Sequence, residues 1–122
     1  MKKSKQSRAR EFSPKVREFI KERDCNTCIF CWVGYHMEKA TSSGLSMKSI
    51  MHYIPRSQNG LGIPENGAVG CEYHHHMLDN GSEGRREEML GIFRDYLISR
   101  HPGWDERKLV YNKWSFLEEI NE

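Results

Sequence analysis

The sequence predicts an α+β fold, a small domain in which a short β-hairpin region sits among helices. Three observations carry this. Residues 49–54 and 68–71 are short apolar runs with strand character, and residues 14–23 and 85–100 have helical patterning. Four cysteines (Cys25, Cys28, Cys31 and Cys71) supply a means of stapling a chain of only 122 residues, whose core is necessarily modest.

The elements follow in chain order. Residues 1–12 read as a basic, disordered arm. Lys2, Lys3, Lys5, Arg8 and Arg10 fall in the first ten positions with no acid, so against an overall net charge of +2 the remaining chain is net −3. Such an arm is either a solvated terminus or a phosphate-contacting segment. Ser13 can cap a helix and Pro14 suits its first position, with Val16, Phe19, Ile20 and Arg23 on one mostly apolar face. Residues 34–48 have no clear period and read as a variable loop. The first strand, at 49–54, stops at Pro55, which has no N–H for a ladder. Gly60, Gly62, Pro64 and Gly67 mark a loop before the second strand at 68–71. A short helix or turn follows and ends near Asn80-Gly81. Met89, Ile92, Phe93, Tyr96 and Leu97 then recur at the spacing of a core-facing helix, stopped by His101-Pro102-Gly103. The tail, with Trp104, Leu109, Tyr111, Trp114, Phe116 and Leu117, reads as an extension that covers the core or, alternatively, a dimer contact. The domain reading is therefore an arm at 1–12, a stapled core at 13–83, and a helix with its tail, packed on that core, at 84–122.

No apolar run is long enough to span a membrane, and the first ten residues lack the apolar stretch of a secretory signal. The expectation is an intracellular, cytoplasmic protein in which a disulfide framework has no place. Closely spaced cysteines in a reducing compartment point to metal. Cys28-x2-Cys31 and Cys71-x2-His74 are two knuckle-spaced pairs, together a tetrahedral zinc set. Cys25 can replace Cys28 or Cys31 in this reading. Four protein ligands close the site, so this zinc would hold the fold and do no chemistry.

His74, His75 and His76 are consecutive and on a helix must diverge. If His74 faces the zinc, His75 can face a second site. His75 and Asp79, four residues apart, would share a helix face and suit two ligands of one hydrolytic ion, although Asp79 can equally end the helix. Phosphodiester hydrolysis needs a base to activate water and a cation to stabilise developing charge. His52, Asn66 and His75 offer these residue types in chain order.

The segment His52-Tyr53-Ile54-Pro55-Arg56-Ser57, then Asn59-Gly60, Asn66 and Cys71-x2-His74-His75, resembles the HNH endonucleases of the ββα-metal (His-Me finger) type, closest to small phage and prophage members. Arg23-Asp24 followed by Cys28-x2-Cys31 resembles the family's lead-in and favours those two cysteines over Cys25. The resemblance spans about residues 14–80. It implies a β-hairpin followed by a helix around a catalytic ion, to which the patterning above adds an N-terminal helix and a longer C-terminal one. Residue by residue it implies His52 as general base, Asn66 as orienting residue or ion ligand, and His75 as ligand of a catalytic Mg²⁺, Mn²⁺ or other divalent ion. Cys28, Cys31, Cys71 and His74 match the structural zinc ligands, and Asp79 is a further candidate for the catalytic ion. Arg56 would contact phosphate or fix its loop. Tyr53 would touch substrate or pack on the core.

Met51 is a departure, because the position before the base often holds an Asp or His ligand, and a thioether binds hard ions poorly. The expected activity is DNA nicking or cutting. The alternatives are a zinc-stabilised binding module without catalysis and a packaging accessory that works beside a phage terminase. Oligomeric state and target sequence are left open.

Overall fold

The computed structural model describes residues 5–37, 47–81 and 84–111. Its elements run α1 (Lys5–Arg10), α2 (Pro14–Arg23), α3 (Ile29–Trp32), β1 (Lys48–His52), β2 (Gly67–Cys71), α4 (Glu72–Asp79) and α5 (Arg85–Arg100), with single 3-10 turns at Arg56–Gln58, Pro64–Asn66 and Glu106–Leu109. The fold is α+β with one two-stranded antiparallel sheet. Among the described residues no helix is long and apolar enough to cross a membrane.

Local chemistry explains the boundaries. The Ser13 hydroxyl accepts a hydrogen bond from the Val16 amide, and Pro14 opens α2, so one orphan donor is satisfied where the helix begins. β1 ends at His52 rather than at residue 54. The Tyr53 amide still reaches the Asn66 carbonyl, but the Ile54 amide donates to the Asn66 side chain. A side chain takes over from the ladder at Ile54, directly before Pro55. Gly84, with φ +79°, makes the left-handed turn into α5 that a side chain would strain.

The sheet register pairs Ile50 with Val69 and Met51 with Ala68. Alternation along the strands sends these pairs to opposite faces. Ile50 and Val69 pack with Phe12 and Ile20 on one side. Met51 and Ala68 join Phe30, Leu78, Met89, Phe93 and Leu97 on the other, under α3, α4 and α5. The two-stranded sheet is therefore covered on both faces. Ile20 carries the apolar face of α2, while Phe19, expected beside it, is half exposed.

Trp104 packs on the larger cluster and donates from its indole to the Glu65 carbonyl, and Leu109 is buried. The tail thus covers the core as far as Tyr111. Trp114, Phe116 and Leu117 lie outside the described residues, as do residues 38–46 of the loop expected at 34–48.

Candidate metal centre and active site

Cys28 stands at the start of α3 and Cys31 within it, while Cys71 ends β2 and caps α4, its sulfur accepting from the His74 amide. This brings four ligand atoms within 4.8 Å of one another. The His74 Nδ1 lies 3.6, 3.4 and 3.3 Å from the sulfurs of Cys28, Cys31 and Cys71, and the sulfurs of Cys31 and Cys71 are 3.8 Å apart. Tetrahedral zinc with bonds of about 2.3 Å to sulfur and about 2.0 Å to nitrogen sets sulfur–sulfur separations near ~3.8 Å and sulfur–nitrogen ones near ~3.6 Å. The cluster fits a zinc ion.

The surroundings fit as well. His74 donates from Nε2 to the Tyr35 carbonyl at 2.6 Å. A carbonyl only accepts, so Nδ1 is left with its lone pair toward the sulfurs, the tautomer a metal requires. Burial, then the neighbouring Cys28 and Cys71, push the Cys31 thiol up to about 12 when no cation is present. A divalent ion reverses that balance by favouring thiolate. Cys25 is exposed, with φ +54°, and stands outside the group. Among the described residues this is the one set of three or more His, Cys, Asp or Glu side chains gathered to hold an ion.

His52 closes β1 on the face opposite Met51. Its Nε2 donates to the Arg10 carbonyl at 2.9 Å, and its ring lies 4.2 Å from that of Phe12. Burial lowers its pKa below the ordinary 6.5, and the charges of Arg56 and Arg17 lower it further, against the raising effect of the Arg10 hydrogen bond. His52 is thereby held as a neutral imidazole, the form that can accept a proton.

Asn66 is completely buried. Its side-chain oxygen accepts from the Ile54 amide, and its nitrogen donates to the carbonyls of Ile54 and Leu61. Both polar atoms of the side-chain amide are thus engaged within the loop that follows His52. Arg56 is half exposed and 3.6 Å from the Glu11 carboxylate, while its carbonyl accepts from the Arg10 guanidinium.

His75 and His74 diverge, as neighbours on a helix do. His74 is fully buried, whereas His75 remains partly exposed. The Nδ1 of His75 is hydrogen bonded to the Ser49 hydroxyl at 2.6 Å, and its Nε2 lies 3.5 Å from an Asp79 carboxylate oxygen. Asp79 therefore shares the face of His75 and is also the last residue of α4, with Asn80 as the C-cap. With Glu72 and His76 these residues line an open depression of about 360 Å³. Ser49 and Met51 belong to the face of the strand opposite His52. Met51 is fully buried, and Gly70 leaves it room, since a Cβ there would sit 2.3 Å from its sulfur. The residue at the expected ligand position is thus part of the core.

Two features escaped sequence reasoning. Asp24 is buried yet accepts from the Val69 amide, the Tyr96 hydroxyl and the Arg23 guanidinium. Arg23 also donates to the carbonyls of Pro64 and Gly67 and meets the His101 ring. This pair ties α2 to β2, to the Asn66 loop and to α5. The sequence marks Arg23-Asp24 only as an adjacent pair at a helix end that resembles a lead-in to the cysteines, with no sign of these contacts. The second feature is the arm. Residues 5–10, expected to be disordered, form α1, because Phe12 is buried against Ile20 and the Ala9 carbonyl accepts from the Gly62 amide. Of the proposed phosphate contacts, Lys5 begins α1, Arg8 is exposed and Arg10 is partly buried, whereas Lys2 and Lys3 lie outside the described residues. Tyr53 packs on Phe93 and Trp104 and donates to Glu106, which gives it a core role.

No protein-family model matches the chain, and no curated protein or solved structure matches it.

Proposed function

We propose that this chain is a zinc-stapled, metal-dependent DNA endonuclease of the HNH type. The supporting observation is the order of its parts. A strand ends on a neutral His52, a loop is pinned by Asn66, and a helix rooted at the Cys71-x2-His74 knuckle turns His75 and Asp79 outward. Zinc at Cys28, Cys31, Cys71 and His74 is structural, since all four ligand positions are filled by protein.

In the proposed reaction His52 accepts a proton from water. The water oxygen forms a bond to the phosphorus, and the bond to the 3′ oxygen breaks. Asn66 keeps the loop that follows the base in place through its three hydrogen bonds. His75 Nε2 and the Asp79 carboxylate are the residues that would hold a catalytic divalent ion, with Ser49 fixing the His75 ring from the other nitrogen. When bound, such an ion stabilises negative charge on the phosphate and the leaving oxygen. Arg8, Arg10 and Arg56 are proposed to meet the DNA backbone, which orients a duplex without reading its sequence.

One observation favours a second reading, a DNA-binding module without catalysis. Met51 is buried and Asn66 is consumed by its loop, so His75 and Asp79 are left as the ion's protein ligands among the expected set. Plasmid nicking with Mg²⁺ or Mn²⁺, compared between wild type and His52→Ala, separates the two. The endonuclease reading expects loss of cutting in the variant. Equal cutting by both proteins removes it, and DNA binding with no cutting by either supports the module.

A further inference from the structure

We infer that residues 8–12 are a built-in part of the His52 site, with the Arg10 backbone carbonyl as the positioning group that selects which ring nitrogen takes the proton. The inference rests on the endonuclease reading for its catalytic meaning, but its geometry stands apart from that reading.

The geometry begins with His52 Nε2, 2.9 Å from the Arg10 carbonyl oxygen. A carbonyl has no proton to give. The neutral ring must therefore carry its hydrogen on Nε2 and its lone pair on Nδ1. Proton acceptance then occurs at Nδ1, and the imidazolium keeps an Nε2–H donated to the same carbonyl, a charge-assisted bond that strengthens as the charge appears. Phe12 forms a wall of the site, its ring tilted 35° against the imidazole and almost wholly buried.

The segment is seated rather than laid across the surface. The Gly62 amide donates to the Ala9 carbonyl, the Arg10 guanidinium to the Arg56 carbonyl, and the Arg17 guanidinium to the Phe12 carbonyl. Two glycines open the slot. A Cβ on Gly62 would lie 2.1 Å from the Glu11 carbonyl oxygen, and a Cβ on Gly67 would lie 2.6 Å from the Phe12 ring. Both separations are far inside van der Waals contact, so a methyl at either position must displace the segment or itself. The charged and titratable groups that act on His52 are Arg17 from α2, Arg56 from the loop and His75 from α4, and Glu11 of the segment pairs with Arg56.

The test is long-range proton–nitrogen NMR of the imidazoles in the full chain as a function of pH, with His52 assigned by its disappearance in His52→Gln. The expected result is an Nε2–H tautomer for neutral His52 and a titration midpoint below 6.5. In a folded Gly62→Ala variant the tautomer preference weakens and the midpoint moves up toward that value. An Nδ1–H tautomer or an unshifted midpoint in wild type overturns the inference, and the wild-type result decides even if the variant does not fold. An Nε2–H tautomer in a chain that never cuts DNA sustains the inference and defeats the endonuclease reading. If the chain cuts, the acid limb of its kcat profile moves to higher pH in Gly62→Ala, a change that loss of stability alone does not produce.

Discussion

The cysteine cluster and the His52–His75 region meet at α4, where His74 serves one and its neighbour His75 serves the other, and they are built on opposite plans. The cluster is closed. Four ligand atoms converge and are mostly buried, and a carbonyl behind His74 sets its tautomer. The second region is open and divided. His52 and Ser49 lie on opposite faces of β1, Asn66 is sealed into its loop, and His75 and Asp79 line an open depression. A site that holds a fold gains from completeness, because every ligand adds binding free energy that is also folding free energy. A site of the proposed nuclease kind would have to leave positions open. The difference teaches that helix geometry alone can turn one of two adjacent histidines into a buried cluster and the other toward solvent.

The sharpest way to break this comparison is to empty the cluster. Structural zinc in small domains contributes on the order of 10 kcal/mol, comparable to the whole stability of a domain. Chelation or Cys71→Ser is expected to unfold the chain, read as loss of the α-helical circular dichroism signal. Next in size is Asp24→Ala, which leaves the buried Arg23 without its partner. A loss of about 3–5 kcal/mol in urea unfolding is expected. Asn66→Ala removes three hydrogen bonds and orphans the Ile54 amide, for about 2–4 kcal/mol in the same measurement. On the proposed endonuclease reading it should also abolish DNA cutting at temperatures where the fold survives.

The pH dependence sharpens the second region. His52 and His101 have pKa values below the ordinary 6.5, in both cases chiefly through burial. The unfolded chain therefore binds protons that the folded chain does not. Stability from these groups is complete well above pH 6.5 and is lost as pH falls from there toward their lower folded values. His52→Gln should flatten part of that slope in thermal unfolding between pH 8 and about 5. The smallest expected effect is Cys25→Ser, within about 0.5 kcal/mol of wild type, since this thiol is exposed and outside the cluster.

The cluster was legible in the sequence because ligand spacing is a local property. Cys28-x2-Cys31 and Cys71-x2-His74 each form one knuckle, and the packing of α3 against β2 brings the knuckles together. The helices at 14–23 and 85–100 were legible through their caps and apolar period. The rest depended on contacts distant in sequence. Nothing local to Arg10 signals that its carbonyl meets a ring 42 residues later, and a basic segment reads as solvated until Phe12 is seen beneath it. Met51 looked like a missing ligand, but Gly70 across the strands shows the space it fills. By residue type Asn66 could serve a metal or a loop, and its hydrogen bonds to Ile54 and Leu61 depend on positions that the local sequence does not reveal.

The most direct measurement is zinc content per chain in wild type, Cys25→Ser, His52→Ala, His75→Ala and Cys71→Ser, purified identically. One zinc is expected in the first four and less than one in Cys71→Ser. A wild type without zinc, or zinc lost with Cys25 or His75 while Cys71→Ser retains it, would contradict the division of the molecule into a closed structural centre and an open chemical one.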